Sequence, residues 1–430
     1  MGDALDTIFE LYKKGHNVST DSRTLKKGDL FFALKGPNFD GNRHAQDALS
    51  KGAKTAIIDD PEFHSPGHTM LVDDCLEALQ LLSTRYRNSL SIPVLGITGS
   101  NGKTTTKELI KSALSKSFHV FATKGNLNNH IGVPMTLLST PATANFLIVE
   151  MGANQPGDIT ELCHIARPDY GVITNIGLAH LEALHSLEGV FKEKKCLFDW
   201  IESHGNHFFV NRDDPFLEVL ELGPRSSRFD KNGDDFIKIE PVSSDNNRLW
   251  FNMTFQGKTQ LVRTQLSGEY NLINCACALR IAQFFHIDPM LAIKGIEEYT
   301  PKDMRSQVVE IGEKKIILDG YNANPSSMSS SIDSFVNQGF PNPLIIVGDM
   351  LELGESSKHY HNSILKKLDG LGIDYVTVGP CFKAINSSSK PSFETVEEVK
   401  DIADEIMSEY ETFFIKGSRG IKLEGLLKYF

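Results

Sequence analysis

The run Val94-Leu95-Gly96-Ile97-Thr98-Gly99-Ser100-Asn101-Gly102-Lys103-Thr104-Thr105 constrains this chain more than any other stretch, because it reads as buried strand, glycine turn and helix start in succession. Such a turn cradles phosphate. Val94 to Ile97 are apolar, while Gly99 and Gly102 let backbone N–H groups close on an anion with no Cβ in the way. Lys103 adds a cation, and Leu109, Ile110, Ala113 and Leu114 recur at helical spacing behind Thr104 and Thr105. The positive helix end then faces the same anion, and the Thr104 hydroxyl suits magnesium. The common phosphate loop would need glycine at 97, where this chain has Ile97, so the loop is the shorter Gly-x-x-Gly-Lys-Thr form. Gly99, Ser100, Asn101, Gly102, Lys103, Thr104 and Thr105 are the expected nucleotide contacts.

At 430 residues the chain has room for about three domains of the usual ~150 residues. A net charge of -11 provides no basic stripe for nucleic acid, which points to a small-molecule partner. The six cysteines, at 75, 163, 196, 275, 277 and 381, show no paired spacing and suggest a reducing compartment. No apolar run approaches the ~18 residues of a membrane span, and the N-terminus lacks a signal peptide's basic start and apolar core. A cytoplasmic enzyme is the expectation.

The pattern predicts an α/β protein of three units: a small one over 1–90, a central one over 91–300 and a third over 301–430. The first carries strands at 29–34 and 55–58 and a helix over about 43–51. Two polar loops, Thr20 to Arg23 and Lys35 to Gly41, are either connections or, through Ser22 and Arg23, a grip on a phosphorylated or sugar-bearing ligand. In the central unit apolar strands alternate with helices, the pattern of a mainly parallel sheet covered on both faces. Its strands 146–149 and 170–176 run into Glu150 and His180. Ligands bind at the carboxyl ends of such strands, so both residues belong beside the phosphate loop as magnesium ligands. The alternatives are a helix-capping carboxylate and a loop histidine. Asn126 and Asn128, in the loop Lys124 to Pro134, read as substrate contacts or as a solvated turn.

On the helix after His180, at about 100° per residue, Val190, Lys194, Leu197, Phe198 and Ile201 share one face, with Lys192, Lys195 and Asp199 opposite. Lys194 is centred on an apolar stripe. A buried ammonium there must be paired, neutralised or modified, addition of carbon dioxide giving a carbamate able to hold magnesium; otherwise the side chain snorkels to water. A hairpin is expected about Gln256-Gly257. Asn271 and Asn274 then face one side of a helix, where amides can read an adenine edge, unless Asn271 is merely a cap. Beyond Pro301, strands at 314–318, 343–348, 375–378 and 412–415 are followed by the polar loops Asp319 to Pro325, Gly348 to Gly354 and Lys416 to Gly420. Arg305, near the hinge, can reach a γ-phosphate across a closing cleft.

Together, Asp21-Ser22-Arg23, Thr98 to Thr105, Gly125 to Pro134, Glu150 to Asn154, Asn175 to His180, Asn271, Asp319 to Pro325, Gly348 to Gly354 and Lys416 to Gly420 resemble the ATP-dependent Mur ligases of peptidoglycan synthesis. The resemblance covers nearly the whole chain. It implies a central P-loop-type sheet, a Rossmann-like C-terminal domain, ATP and Mg2+ as cofactors, and UDP-N-acetylmuramoyl-tripeptide and D-alanyl-D-alanine as partners. It also implies that Lys103 contacts the β- and γ-phosphates, that Thr104 and Glu150 serve one magnesium, and that His180 and carbamylated Lys194 serve a second. Asn271 then lies near adenine, Arg305 near the phosphates, Asp319 near the ribose, and Asn322 and Asn324 near substrate. Two positions depart from the pattern: Tyr270 stands where relatives often have histidine, and Cys196 where they often have glutamate. One closed cleft is expected to operate in a monomer. Another amide ligase of this architecture, such as the third-residue-adding or folate polyglutamate type, or a P-loop kinase, is the rival expectation.

Overall fold

The computed structural model describes residues 2–233, 237–242, 248–386 and 389–430, which form three α/β units. In the first, four parallel strands stand in the order Val18–Ser19, Leu30–Phe32, Thr55–Ile58, Thr69–Leu71. The expected strand 29–34 stops at Phe32, because the chain folds back at once into a short hairpin, Lys35–Gly36 against Phe39–Asp40. The expected helix opens as a 3-10 turn, Gly41–His44, whose first N–H groups meet the Asp40 carboxylate at Asn42, and continues as Ala45–Ser50. Helix Cys75–Ser89 then leans on the central unit. Its buried Arg87 donates to Ala166 O at 3.0 Å, Arg167 O at 2.9 Å and Asp169 Oδ2 at 2.9 Å, so a charge-assisted contact joins the two units.

The central sheet is parallel throughout, in the order Ser226–Phe229, His207–Asn211, Tyr170–Ile173, Val94–Thr98, Phe146–Glu150, Val120–Ala122. Apolar clusters fill both faces: Leu109, Ile110 and Leu279 on one, Ile159, Leu162, Leu197 and Ile201 on the other. Strand Val94–Thr98 lies between neighbours that come later in the chain, the position where open α/β sheets leave a crevice for ligands. The expected hairpin belongs to a three-stranded antiparallel sheet, Ile237–Val242, Trp250–Phe255 and Lys258–Arg263. Its hairpin turns through Gln256 (φ 49°) and Gly257 (φ 73°), the left-handed pair that suits a two-residue connection.

The third unit has six strands in the order Gln307–Ile311, Lys314–Asp319, Thr412–Lys416, Pro343–Gly348, Asp374–Val378, Ser392–Phe393. Only the first pairs antiparallel. Leu181, Leu184 and Val190 of the central unit belong to the same apolar cluster as Met328, Ile332 and Leu353, so the two units share a core. The connector between them is left-handed at Asp303 (φ 55°), Met304 (φ 56°) and Ser306 (φ 50°), a backbone state that non-glycine residues hold only when their surroundings impose it. Among the described residues no helix is long and apolar enough to cross a membrane.

Candidate active site

The carboxyl ends of the central strands and the facing edge of the third unit enclose a cleft of about 460 Å³. Residues 100–105 lie along its floor. Gly99 adopts φ +145°, and a Cβ there would stand 1.8 Å from Thr174 Oγ1, so the loop can pass this strand end only with glycine. Gly102 (φ +77°) precedes helix Lys103–Leu114 without a side-chain cap. Side chains thus leave the first-turn N–H groups free for an anion. The loop itself is pinned: Ser100 N donates to Asn175 O at 3.0 Å, Asn101 N to Asn175 Oδ1 at 3.0 Å, and Thr174 Oγ1 to Asn101 O at 2.6 Å. Lys103 Nζ folds back to donate to Gly99 O at 2.7 Å, and burial lowers its pKa against the opposing pull of Glu150.

Glu150 is buried at the end of its strand and gathers donors. Thr104 Oγ1 donates to its two oxygens at 3.2 and 2.9 Å, and Asn128 Nδ2 to Oε1 at 2.9 Å. Lys107, wholly buried one turn along the helix from Lys103, lies 3.4 Å from Oε2 and donates to Thr123 O at 2.6 Å. An acidic oxygen beside a hydroxyl, next to an uncapped helix start, is a donor set that fits a hard divalent cation at bound phosphate. Asn128 therefore reaches the cleft through Glu150, whereas Asn126 is exposed and does not line it.

His180 also lines the cleft, with φ 54° and its Nδ1 2.6 Å from Glu352 Oε2 of the third unit. Lys194 is wholly buried, as its helical face requires, and its Nζ has no hydrogen-bond partner among the described residues. Burial, reinforced by the nearby Lys103 charge, pushes its pKa down to about 7, against the pull of Glu193. It does not snorkel. Cys196 is part-exposed, with its sulfur 3.5 Å from Lys192 O.

On the other wall Thr106 Oγ1 donates to Asn274 Oδ1 at 3.0 Å, Asn274 Nδ2 to Asn271 Oδ1 at 2.9 Å, and Asn271 Nδ2 to Ser267 O at 2.8 Å. Asn271 and Asn274 do face one side, but they bond each other and line the cleft as a fixed pair. Tyr270 OH meets Ser306 Oγ at 2.7 Å, and Ser306 N donates to Asp319 Oδ1 at 3.2 Å. Asp319 Oδ2 lies 2.5 Å from Lys416 Nζ, a largely buried ion pair. Arg305 lies over Tyr321, its guanidinium carbon 3.5 Å from the ring centroid, with Nε buried and without a hydrogen-bond partner among the described residues.

Other expected residues are spent differently. Asn324 caps helix Pro325–Asn337 through a capping box with Ser327, and its Nδ2 donates to Asn101 Oδ1 at 2.7 Å across the domain junction. Asn322 and Asn324 both line the cleft. Ser22 is buried, Arg23 is exposed and paired with Asp21 at 2.7 Å, and neither lines the cleft. Four residues escaped sequence reasoning. Lys107 and Glu193 carry no motif, and Glu352 and Lys416 stood only as members of polar loops. Glu193 caps helix Asp158–Ala166 by accepting from Gly157 N and Ile159 N at 2.7 Å each. Only the run of polar residues after apolar strands hinted at Glu352 and Lys416.

The Mur ligase middle domain matches residues 97–282, the Mur ligase glutamate ligase domain residues 304–418, and the Mur ligase family catalytic domain residues 14–86. The UDP-N-acetylmuramoyl-tripeptide--D-alanyl-D-alanine ligase of Bacillus subtilis (strain 168) is 33% identical over 429 residues, spanning 96% of this chain and 92% of that one. Its counterpart in Escherichia coli (strain K12) is 30% identical, spanning 96% and 92%. MurF from Acinetobacter baumannii superposes with a TM-score of 0.86 at 29% identity, over 98% of this chain and 97% of that one. MurF ligase from Thermotoga maritima, solved in complex with ADP, superposes with a TM-score of 0.85 at 27% identity, over 98% and 97%. Three matching domains in one order, and a likeness that runs nearly end to end, establish that this chain belongs to the Mur ligase family.

Proposed function

We propose that this chain joins D-alanyl-D-alanine to UDP-N-acetylmuramoyl-tripeptide at the expense of ATP, giving UDP-N-acetylmuramoyl-pentapeptide, ADP and phosphate in cytoplasmic assembly of the peptidoglycan precursor. One observation carries the reading. A phosphate loop with an uncapped helix start, a buried carboxylate beside its threonine, and a second α/β unit closed over both form one cleft. The relatives named for this reaction match the chain nearly end to end, and one was solved with ADP.

A carboxylate does not react with an amine at neutral pH, so the tripeptide's terminal carboxylate first takes the γ-phosphoryl group and becomes an acyl phosphate. Two anions must approach each other. Lys103, Arg305 and the helix N-terminus offset that repulsion. The amine of D-alanyl-D-alanine then attacks the acyl carbon, and phosphate leaves. The third unit, seated on the central one through Asn324, Glu352 and the shared apolar cluster, keeps water from the acyl phosphate. Thr104 with Glu150, and His180 with Lys194, are the residues that would hold magnesium, which when bound supplies charge neutralisation at the phosphates. An unpartnered neutral Lys194 amine is the form that adds carbon dioxide, releasing a proton and leaving a carbamate oxygen as ligand. The first unit, 1–90, takes the UDP end; 91–300 holds ATP; 301–430 receives the dipeptide.

ADP release measured with each substrate omitted in turn tests the reading, with product mass read alongside. Release is expected only when UDP-N-acetylmuramoyl-tripeptide and D-alanyl-D-alanine are both present. Release with a free diamino acid or glutamate in place of the dipeptide overturns it in favour of another amide ligase, and a phosphorylated end product in favour of a kinase.

A further inference from the structure

The loop after strand Pro343–Gly348 is built more rigidly than a connection requires. Asp349 N donates to Val378 O, Met350 N to His361 Nε2 and Leu351 N to Ser418 Oγ, each at 3.0 Å. The Asp349 carboxylate accepts from Cys381 N at 2.7 Å and Phe382 N at 2.9 Å, which fixes the start of helix Pro380–Ile385. His361 is wholly buried; accepting at Nε2, it carries its proton on Nδ1, 2.8 Å from Ser357 O. Asp349, His361 and Cys381 come within 4.8 Å of one another. Both nitrogens of the imidazole and both oxygens of the carboxylate are already engaged, so the cluster is a buttress and not a cation site.

What the buttress presents is Glu352. This residue stands at φ 63° and reaches across the domain junction, its Oε2 2.6 Å from His180 Nδ1 and its carbonyl accepting Glu182 N at 3.2 Å. His180 is itself left-handed, and Gly354 closes on Glu182 so tightly that a Cβ would lie 3.2 Å from Glu182 Cα. Two non-glycine residues in an uncommon backbone state, one from each domain, meet at one hydrogen bond on the edge of the cleft. A carboxylate only accepts, so Nδ1 must donate. In the neutral ring the lone pair is then left on Nε2, whereas a free neutral imidazole side chain favours the opposite tautomer.

We propose that Glu352 is a positioning residue of this ligase: arriving with the C-terminal domain, its carboxylate fixes the tautomer and ring orientation of His180, so that His180 is set for the reaction only in the closed molecule. The role rests on the ligase reading above. It makes closure part of assembling the site, beyond excluding water from it. A carboxylate behind a metal-ligating imidazole commonly accounts for about 10- to 100-fold in metal affinity or activity.

The test compares the full chain, Glu352→Gln and Glu352→Ala, each with ADP bound. Long-range proton–nitrogen spectra of the His180 ring, identified by its loss in His180→Gln, report which nitrogen carries the proton. The natural chain should show the Nδ1–H form, and Glu352→Ala the Nε2–H form. The kcat of Glu352→Ala should fall about 10- to 100-fold with KM for ATP within about twofold, and in a His180→Ala background the same change should have no further effect. An unchanged tautomer in Glu352→Ala, or an equal fall in kcat without His180, overturns the proposal. Glu352→Gln keeps the side chain's size, so a tautomer read from it decides the matter if the alanine variant does not fold. A chain without ligase activity would sink the functional reading and still leave the ring spectra to decide the link between Glu352 and His180.

Discussion

A lysine buried in an apolar core is a liability unless the reaction uses it, and Lys194, without a hydrogen-bond partner among the described residues, is the sharpest case here. Its folded-state pKa is depressed from 10.5 to about 7. The unfolded chain therefore binds one more proton than the folded one between these values, and stability attributable to this group rises as pH climbs through that window. Below about pH 7 its penalty on the fold is complete. Lys194→Met, similar in volume and uncharged, is accordingly expected to raise the melting temperature in carbonate-free buffer, by several degrees at pH 6 and by little at pH 10. An equal rise at both values would refute the assignment. Lys194→Ala should lose activity and regain part of it with small carboxylic acids, measured as ADP release; full activity in that variant removes the carbamate. Lys194 was legible in the sequence because a charge centred on a 3.6-residue apolar stripe announces itself. Lys107 was not, although it is equally buried, since its bond to Thr123 O and its approach to Glu150 come from strands far along the chain.

At the scale of an element, the phosphate loop shows what local sequence settles. Strand, turn and helix start fell where glycine and apolar residues required; Gly99 was singled out for lacking a Cβ beside an anion, and the structure adds that its φ of +145° also needs glycine. Gly99→Ala combines a forbidden backbone with a methyl group 1.8 Å from Thr174 Oγ1, so the loop must move. ADP binding, read by calorimetry, is expected to weaken at least 100-fold, about 2.7 kcal/mol; unchanged affinity would mean that the turn is not the anion cradle. Elements decided at a distance were harder to see. Ile237–Val242 directs only Ile237 and Ile239 fully inward, too weak an alternation to separate from loop, and its partner Trp250–Phe255 supplies the rest. Gln307–Ile311 is half-buried except at the exposed Glu310 and owes its existence to pairing with Lys314–Asp319. Asn324 lines the cleft, as the resemblance implied, but no sequence signal showed that its side chain also caps a helix and bonds Asn101.

Across the whole molecule, the central and third units cohere through one apolar cluster that includes Leu181 and Leu184 on one side and Met328, Ile332 and Leu353 on the other. Leu184→Asp places a charge in that cluster and is expected to open the molecule. Small-angle scattering should show a larger radius of gyration, ADP affinity should stay within about threefold, and kcat for ligation should drop at least tenfold, roughly 1.4 kcal/mol in the barrier. An unchanged scattering profile with full turnover would contradict a closed working state. The connector that joins these units is left-handed at Asp303, Met304 and Ser306, and Arg305, among them, rests on Tyr321. Were the two lobes to part, this connector would have to change shape, and Arg305 would leave the cleft with it, so that unloading the spent products and disarming the catalyst would be a single mechanical event.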